Sequence, residues 1–373
     1  MMTKKIKVMS VFGTRPEAIK MAPLVLEMKK YPEIESIVCV TAQHREMLDQ
    51  VLSAFGITPD YDLDIMEKNQ TLSGITSKAM LGIEGVVKKE NPDVVLVHGD
   101  TTTTFAGALG AFYCKADVGH VEAGLRTYDK YSPYPEEMNR LLVSKIARFH
   151  FAPTDKNAEN LKREGIEKDV YVTGNTVIDA IAYTAKDDYV FECDKLNHMD
   201  YSKKTILLTA HRRENYGEPF ENICNAVCEI ADKNPDVNII YPVHLSPYVQ
   251  DMAKGHLSGR DNIILIEPLG VFDMHNLMKR AYMVMTDSGG LQEEAPALGK
   301  PVLVLRHETE RPEAIKAGTA RLAGIVKDDI VKAAQLLIDD SEEYAKMARA
   351  INPYGDGKAS ERIIKAIIAA YEK

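Results

Sequence analysis

Three acidic residues in the first half of the chain stand where carboxylates can exchange protons with a substrate. Asp100 ends the apolar run of VVLVHGD, Glu122 follows DVGHV, and Glu136 opens the helical pattern EEMNRLLVSKIA. Carboxylates that converge on one site can serve as general acids and bases for a neutral part of a substrate. Glu136 and Glu137 also follow Pro135 at a predicted helix start, so helix capping is the alternative for either of them.

A glycine-containing turn in the second half of the chain has the composition of a phosphate site. In MTDSGGLQEEAPALG, Gly289 and Gly290 let a ligand approach the backbone at a helix start, whose unpaired N–H groups and dipole attract anions. Glu293 or Glu294, one turn later, is placed to accept hydrogen bonds from ribose hydroxyls. The alternative is that Ser288 caps the helix and the glycines only form a tight turn. The turn is not a GxxxxGK[ST] loop, and no GxGxxG follows the first strand, which argues against a nicotinamide enzyme.

Cationic residues follow two other predicted strands. Arg15 and Lys20 lie in FGTRPEAIK, and His211 and Arg212 lie in TAHRREN. Cations at the carboxyl ends of strands are suited to hold an anionic leaving group while the acids act on another part of the substrate. For Arg15 the alternative is a surface arginine beside Pro16 in the first turn of a helix.

The composition narrows the class of protein further. A formal net charge of -9 argues against a general nucleic-acid binder, although a local basic pocket for an anion is compatible with it. The histidines show no HExxH or paired spacing, so we predict no metal site. Five cysteines without a CxxC pair indicate a reducing, cytoplasmic setting. No apolar run reaches the roughly 20 residues that a membrane helix needs.

Short apolar segments, each followed by turn residues and a helical pattern, must position these side chains. The first series is IKVMSVFG, IESIVCVTA, DVVLVHGD, DVGHVEAG, RFHFAPT and DVYVTGN, and the second is KTILLTAH, VNIIYPVH, NIILIEPL, YMVMTDSGG and KPVLVLR. Continuous apolar strands that alternate with helices predict parallel sheets covered on both faces. The charged segment 185–204 separates the two series. We therefore predict an α/β protein with two Rossmann-like domains, 1–175 and 176–356, facing a cleft, with ligands at the carboxyl ends of the strands.

Taken in order, these motifs resemble the non-hydrolysing UDP-N-acetylglucosamine 2-epimerases. The resemblance runs from VFGTRPEAIKMAP through TAQHREMLDQVL, HGDTTT, HVEAGLRT, PEEMNR, TGNTVIDA, AHRREN and DSGGLQEEAPALGKPVLVLR to TERPEA, and so covers nearly the whole chain. It implies the glycosyltransferase-B fold, with a carboxy-terminal helix at 357–373 that packs back on the first domain. It also implies a homodimer without cofactors that interconverts UDP-GlcNAc and UDP-ManNAc by eliminating and re-adding UDP, with 2-acetamidoglucal as the intermediate.

The resemblance also implies roles for residues at matching motif positions. The implied catalytic residues are Asp100, Glu122, Glu136 and His211. The implied contacts to UDP come from Arg15, Lys20, Ser288, Gly289, Gly290, Glu294 and Arg311. Bacterial members of the family bind a second UDP-GlcNAc as an activator, and the matching positions are Gln43, His44, Gln70, Arg212 and His244. Glu46 and Asn69 replace the glutamine and arginine usual there, so we expect an altered or absent response to this activator.

Three other functions fit parts of the same pattern. A glycosyltransferase of the same fold would need an acceptor pocket, and a hydrolysing epimerase would release free ManNAc and UDP. A binding protein would hold a nucleotide sugar without turnover. The clustered acids argue against pure binding, because unpaired carboxylates would repel a diphosphate.

Overall fold

Two parallel sheets with their helices make up the protein. The structure, a computed structural model, describes residues 5–43, 45–67 and 70–372. By their contacts the residues form two compact units: unit 1 is Met1–Tyr183 with Tyr354–Lys373, and unit 2 is Thr184–Pro353. The predicted α/β class, with one Rossmann-like sheet in each of two domains, is confirmed.

The sheet of unit 1 has seven strands in the order β3-β2-β1-β4-β5-β6-β7, and all its pairings are parallel. The strands are β1 (Ile6–Phe12), β2 (Ile34–Val40), β3 (Tyr61–Asp62), β4 (Val94–His98), β5 (Asp117–Val121), β6 (Phe149–Ala152) and β7 (Val170–Val172). The helices are α1 (Arg15–Met28), α2 (Arg45–Ala54), α3 (Leu72–Glu90), α4 (Thr102–Tyr113), α5 (Glu136–Ile146), α6 (Asp155–Arg163) and α7 (Thr176–Thr184).

The sheet of unit 2 has six parallel strands in the order β10-β9-β8-β11-β12-β13. The strands are β8 (Thr205–Thr209), β9 (Asn238–Pro242), β10 (Ile263–Ile266), β11 (Met283–Thr286), β12 (Val302–Val304) and β13 (Ala320–Leu322). The helices are α8 (Asp194–Asn197), α9 (Glu218–Lys233), α10 (Pro247–Leu257), α11 (Val271–Arg280), α12 (Gly289–Ala297), α13 (Pro312–Ala317), α14 (Lys327–Asp339) and α15 (Ser341–Ala348). The last helix, α16 (Ala359–Tyr371), belongs to unit 1.

The central strands are apolar because helices cover both faces of each sheet. Every residue of β4 and of β8 is buried, and α3 and α4 contribute Ile83, Val86 and Ala106 to the core beside β1 and β4. Helix α16 is held in unit 1 from both ends. Asp179 accepts hydrogen bonds from the backbone N–H groups at the start of α16, and the Tyr371 hydroxyl donates to the Asp93 carbonyl at 2.9 Å. No helix in the described ranges is long and apolar enough to span a bilayer.

Each sheet has one point where the chain order reverses, and this point directs attention to particular turns. In unit 1 the reversal lies between β1 and β4, and in unit 2 it lies between β8 and β11. Open parallel sheets bind ligands outside the carboxyl ends of the strands at such a reversal, because the connecting helices leave there on opposite faces. The turns after β1, β4, β8 and β11 are therefore the structural candidates for ligand contact.

Candidate active site

Glu122 is held over the end of β4 by a cation and an amide. It follows β5 directly and has a positive φ of 64°, a conformation that is uncommon outside glycine and occurs often at functional sites. Its Oε1 is ion-paired with Nζ of Lys20 and accepts a hydrogen bond from Nδ2 of Asn175 at 3.0 Å. A Cβ at Gly99 would lie 3.3 Å from its Oε2. The Glu122 carboxylate thus lies against the turn that carries Asp100.

Two buried histidines border this carboxylate. His98 Nε2 lies 3.9 Å from Oε2 of Glu122, and burial lowers the pKa of His98 to about 4. His120 Nε2 donates to the Gly99 carbonyl at 2.7 Å, and burial lowers the pKa of His120 to about 3. Both imidazoles are therefore neutral near pH 7, and the positive charge beside Glu122 comes from Lys20.

Asp100 is oriented by α5. Its Oδ2 accepts hydrogen bonds from Nε and Nη2 of Arg140 at 2.8 and 2.7 Å, and its carbonyl accepts one from Nδ2 of Asn139 at 2.8 Å. Arg140 also donates to the fully buried Glu137 at 2.8 Å. Within the described residues, Oδ1 of Asp100 accepts no hydrogen bond, and a quarter of the side chain is exposed. One carboxylate oxygen is fixed while the other is available to a ligand.

The adjacent acids Glu136 and Glu137 have different surroundings, which bear on the choice between proton exchange and a structural role. Glu137 is the structural residue, since its carboxylate accepts hydrogen bonds from the backbone N–H groups of Thr127 and Tyr128 at 3.1 and 3.0 Å. Glu136 begins α5, and in the described part of the chain its buried Oε2 has no hydrogen-bond partner. Because buried polar atoms are nearly always hydrogen-bonded, this oxygen is placed to bind a group from outside the chain.

Arg15 and Lys20, on the turn after β1, differ in their surroundings. Lys20 is engaged with Glu122. Arg15 is half-buried at the start of α1 and has no ion-pair or hydrogen-bond partner among residues 5–43, 45–67 and 70–372. A half-buried, unpaired guanidinium is a suitable contact for an anionic ligand.

In unit 2 a buried carboxylate joins the turns after β8 and β11. Oδ2 of Asp287 accepts hydrogen bonds from the backbone N–H groups of His211 and Arg212, both at 2.8 Å, and from Nδ2 of Asn215 at 3.2 Å. Its Oδ1 lies 3.3 Å from Nδ1 of His211. Burial lowers the pKa of His211 against the opposing effect of Asp287, and His244, which stacks on the ring at 5.3 Å, lowers it further. Asp287 therefore orients the His211 ring, and burial favours the neutral form of that ring.

The start of α12 combines free backbone donors with two guanidinium groups. Ser288 occupies the N-cap position, but its side chain makes no capping hydrogen bond, so the capping alternative does not account for it. A Cβ at Gly289 would lie 3.8 Å from Nη2 of Arg212 and 3.9 Å from Nη2 of Arg311. Unpaired N–H groups, the helix dipole and two arginines at one point are suited to a diphosphate.

Glu293 and Glu294, which the turn pattern alone leaves open and of which the family resemblance names Glu294, also differ in role. Glu293 is buried, and its Oε1 is ion-paired with Nε of Arg311. Glu294 accepts a hydrogen bond from Nε2 of His275 at 2.9 Å, and its Oε1 lies 3.1 Å from the position of a Cβ at Gly290. Glu293 therefore positions Arg311, while Glu294 lies at the glycine turn, where the ribose contact was expected.

The residues predicted for a second ligand fall into two groups, one in each unit. In unit 1, Gln70 Nε2 donates to the Gln43 carbonyl at 3.4 Å, and Gln43 Oε1 accepts from Thr103 at 3.0 Å. In unit 2, Arg212 and His244 flank His211. His44 and Asn69 lie outside the described residues. Glu46 is in the first turn of α2.

The sequence pattern does not single out several side chains that hold the candidates in place. Arg140, Asn175 and Asp287 each contact a predicted site residue, and His275 contacts Glu294. Position gave a signal only for Asp287, which immediately precedes Ser288, and for Arg140, one helical turn after Glu136. Across the described residues there is no group of three or more His, Cys, Asp or Glu side chains arranged to hold a metal ion.

Comparison with known proteins assigns a family to this arrangement. Residues 26–368 match the family model described as UDP-N-acetylglucosamine 2-epimerase. The chain is similar to the UDP-N-acetylglucosamine 2-epimerase of Bacillus subtilis (strain 168), with 56% identity over 370 residues that cover 99% of this chain and 96% of that one.

Solved structures agree with this similarity. A crystal structure of a UDP-N-acetylglucosamine 2-epimerase superimposes with a TM-score of 0.93 at 54% identity, covering 99% of this chain and 97% of the other. The UDP-GlcNAc 2-epimerase from Neisseria meningitidis, in a crystal structure bound to UDP-GlcNAc, superimposes with a TM-score of 0.84 at 49% identity, covering 97% of this chain and 100% of the other.

Proposed function

The chain belongs to the UDP-N-acetylglucosamine 2-epimerase family and is an isomerase of UDP-GlcNAc, and we propose that it forms UDP-ManNAc by eliminating UDP and adding it back. The observation that carries this mechanism is the division of charge between the two candidate sets. Unit 1 presents the carboxylates Asp100, Glu122 and Glu136, whereas unit 2 presents a helix start with Arg212 and Arg311. We propose that both sets act on the same nucleotide sugar.

The chemistry requires both sets because the hydrogen on C2 of the sugar is only weakly acidic. A carboxylate removes this proton, the C2–H electron pair forms the C1=C2 double bond, and the C1–O bond breaks with its electrons passing to UDP. The products of this step are 2-acetamidoglucal and UDP. In the reverse addition, an acid delivers a proton to the opposite face of C2 while a β-phosphate oxygen bonds to C1. Inversion at C2 follows, and no electrons are gained or lost, so the reaction needs no redox cofactor.

The surroundings of the three acids suit this exchange of protons. Asp100 is ion-paired with Arg140 through Oδ2, and Glu122 is ion-paired with Lys20 through Oε1. Glu136 contributes a buried oxygen that lacks a donor within the described chain. Carboxyl groups in such different surroundings are suited to act as acid and base in one turnover.

The proposed diphosphate site lowers the free energy of the departing UDP. Backbone N–H groups of Gly289 and Gly290 and the hydroxyl of Ser288 would donate to phosphate oxygens, since the Ser288 N–H already donates to Oγ1 of Thr286 at 2.8 Å. Arg311, fixed by Glu293, would add a charged donor. Arg15 supplies a cation without a partner in the described residues of unit 1. His211, oriented by Asp287, would contact the leaving group, and Glu294 would accept from the ribose.

The region predicted for a second UDP-GlcNAc carries negative charge in this chain. Arg45, which precedes Glu46, is ion-paired with Asp62 at 2.6 Å, Asp64 at 2.9 Å and Asp49 at 3.3 Å. Its charge is thus neutralised, and Glu46 adds an acid. We propose that activation by UDP-GlcNAc is weak or absent. UDP-ManNAc saturation curves measured with and without added UDP-GlcNAc should then show little or no activation, and a strong activation would contradict the proposal.

We also propose, on the family resemblance, that the protein acts as a homodimer in the cytoplasm. Large apolar side chains are exposed on α3 and α4 of unit 1, namely Leu81, Phe112 and Tyr113 at 63%, 56% and 59%. Exposed apolar patches on a globular surface are typical of contacts between subunits. Size-exclusion chromatography with light scattering should give twice the mass of the 41.5 kDa chain, and the mass of a single chain would contradict the proposal.

One incubation separates the proposed reaction from the other functions. UDP-GlcNAc is supplied as the sole substrate in deuterated water, and the C2 position is followed by NMR. Epimerisation gives UDP-ManNAc with deuterium at C2. A hydrolysing epimerase gives free ManNAc and UDP, whereas a transferase or a binding protein leaves the substrate unchanged and without deuterium at C2.

A further inference from the structure

A buried glutamate that the proposed reaction does not use lies at the strand reversal of unit 1. Glu17 is 2% exposed, in the first turn of α1. Its Oε2 accepts hydrogen bonds from the backbone N–H groups of Gly13 at 3.0 Å and Thr14 at 2.8 Å. Its Oε1 accepts from the hydroxyl of Thr101 at 2.7 Å. One carboxylate therefore receives three donors.

These three donors belong to the two turns that flank the reversal. Gly13 and Thr14 follow β1, whereas Thr101 follows β4. Strands β1 and β4 are hydrogen-bonded neighbours, with Val8, Met9 and Ser10 opposite residues 94–96, so their turns leave the sheet side by side. The Glu17 carboxylate therefore links the two turns, because it accepts hydrogen bonds from groups in both of them.

The same two turns carry the proposed proton-transfer residues. Lys20, the partner of Glu122, lies three residues after Glu17 and therefore on the same face of α1. Asp100 directly precedes Thr101, whose hydroxyl is bonded to Glu17 and also caps α4. A displacement of one turn relative to the other would move Lys20 and Asp100 apart.

Unit 2 uses the same arrangement at its own strand reversal. Asp287, fully buried after β11, accepts from the backbone N–H groups of His211 and Arg212 after β8. A buried carboxylate therefore joins the two turns at the reversal of each sheet. In unit 2 the residues it joins are themselves candidate site residues, which supports a role in positioning rather than in stability alone.

We propose that Glu17 is a positioning residue, whose carboxylate fixes the turn after β1 against the turn after β4 and so sets the geometry of Lys20, Glu122 and Asp100. The inference rests on the proposed epimerisation. Most of the proposed UDP contacts lie in unit 2, whereas Arg15 and Lys20 lie on the turn that Glu17 fixes. Loss of Glu17 should therefore lower kcat by a larger factor than it weakens the binding of UDP. Burial raises the pKa of the Glu17 carboxyl, and hydrogen bonds from Thr101, Thr14 and Gly13 oppose that rise.

Replacement of Glu17 by glutamine tests this role with little change in shape. In Glu17→Gln the amide oxygen can still accept from Gly13 and Thr14, and the Thr101 hydroxyl can rotate to accept from the amide nitrogen. The charge that holds the turns together is lost. Because small displacements of reacting groups cost one to two orders of magnitude in rate, we expect kcat to fall by about 10- to 100-fold. The Kd of UDP, measured by calorimetry, should rise by a smaller factor than kcat falls.

Asp179→Asn is the matched control. Asp179 is also a buried carboxylate in unit 1 that accepts from two backbone N–H groups at a helix start, those of Ala359 and Ser360, but these belong to α16. Burial raises its pKa as well. The control variant should keep the wild-type kcat, even if both variants lower Tm to a similar extent.

Thr101→Val provides a second variant that keeps the glutamate. Valine has the shape of threonine but lacks the hydroxyl that donates to Glu17 at 2.7 Å, so kcat should fall by a smaller factor. In the double variant with Glu17→Gln the two effects should be less than additive, because both remove the same contact.

The outcomes separate this inference from the function on which it rests. A wild-type enzyme that does not epimerise UDP-GlcNAc would remove the proposed function. An active wild type with unchanged kcat in Glu17→Gln would overturn the positioning role. A parallel loss of kcat in Asp179→Asn, or a loss of UDP affinity equal to the loss of kcat, would also overturn it.

Discussion

Replacement of the buried His98 should make the protein less sensitive to acid. The imidazole lies at the end of β4, is 3% exposed, and faces Glu122 across 3.9 Å. Burial lowers its pKa from 6.5 to about 4 in the folded protein. The unfolded chain, whose histidine is in water, takes up a proton as the pH falls below 6.5, whereas the folded chain does not do so until the pH nears 4. The shifted pKa of His98 therefore contributes to the free energy of unfolding above pH 6.5, and this contribution is lost as the pH falls from 6.5 to about 4.

The size of this loss in stability follows from the shift in the pKa of His98. A difference between 6.5 and about 4 corresponds to about 3 kcal/mol in the free energy of unfolding. About 2 kcal/mol of it should be lost between about pH 7 and about pH 5. In His98→Gln this contribution is absent, so the variant should lose about 2 kcal/mol less than the wild type over the same interval. His120 remains in both proteins, and its contribution cancels in the comparison.

Urea unfolding followed by circular dichroism at the two pH values measures the difference. Hydrogen exchange with mass spectrometry on peptides from β4 and β5 identifies the transition of unit 1. His198→Gln is the control, because His198 is largely exposed at 77% and should be surrounded by water in both states. Parallel losses of stability in the wild type and in His98→Gln would refute the reasoning.

Three further predictions concern the turns and the proposed ligand site. Gly13→Ala would place a Cβ 1.9 Å from Oγ1 of Thr41 and 2.9 Å from Oγ1 of Thr103. This variant should lower the free energy of unfolding, measured by urea titration, by about 1–3 kcal/mol. An unchanged midpoint would show that the turn relaxes freely. Asp100→Asn removes a proposed proton-transfer group and should lower kcat by about 10²- to 10⁴-fold while calorimetry still detects UDP binding; unchanged turnover would remove Asp100 from the mechanism. Glu293→Gln removes the ion pair between Glu293 and Arg311 and should weaken UDP binding by about tenfold. An unaltered Kd would exclude the positioning of Arg311 by Glu293.

The order of strands and helices was largely predictable from the sequence. All eleven apolar segments form strands, because a strand covered on both faces must be apolar along its whole length. The pattern does not predict β3 (Tyr61–Asp62) or β13 (Ala320–Leu322), which are two and three residues long. Runs this short are too brief to show a period, and their pairing depends on the neighbouring strand.

The candidate site was predictable in its place but not in its detailed contacts. The rule for strand ends directs attention to Asp100, Glu122 and the glycine turn. It does not tell whether Glu136 or Glu137, or Glu293 or Glu294, faces a ligand. Adjacent residues on a helix point about 100° apart, and tertiary packing decides which of them turns inward.

Hydroxyl groups of the site region illustrate the same limit. The threonines after Asp100 lie at a strand end, where open parallel sheets bind ligands. In the structure, Thr101 donates to Glu17, and Thr103 contacts Thr41 and Gln43. Their donors are used between turns that are far apart in the sequence, and the local pattern carries no information about such pairs.

The central claim is that removal of the C2 proton and departure of UDP belong to one elimination from one bound ligand. It is tested most directly with UDP-GlcNAc that carries ¹⁸O in the oxygen bridging C1 and the β-phosphate, incubated with the enzyme in deuterated water. The account predicts deuterium at C2 of UDP-ManNAc together with movement of ¹⁸O into the non-bridging positions of the β-phosphate. Deuterium at C2 with the ¹⁸O retained in the bridge would contradict it.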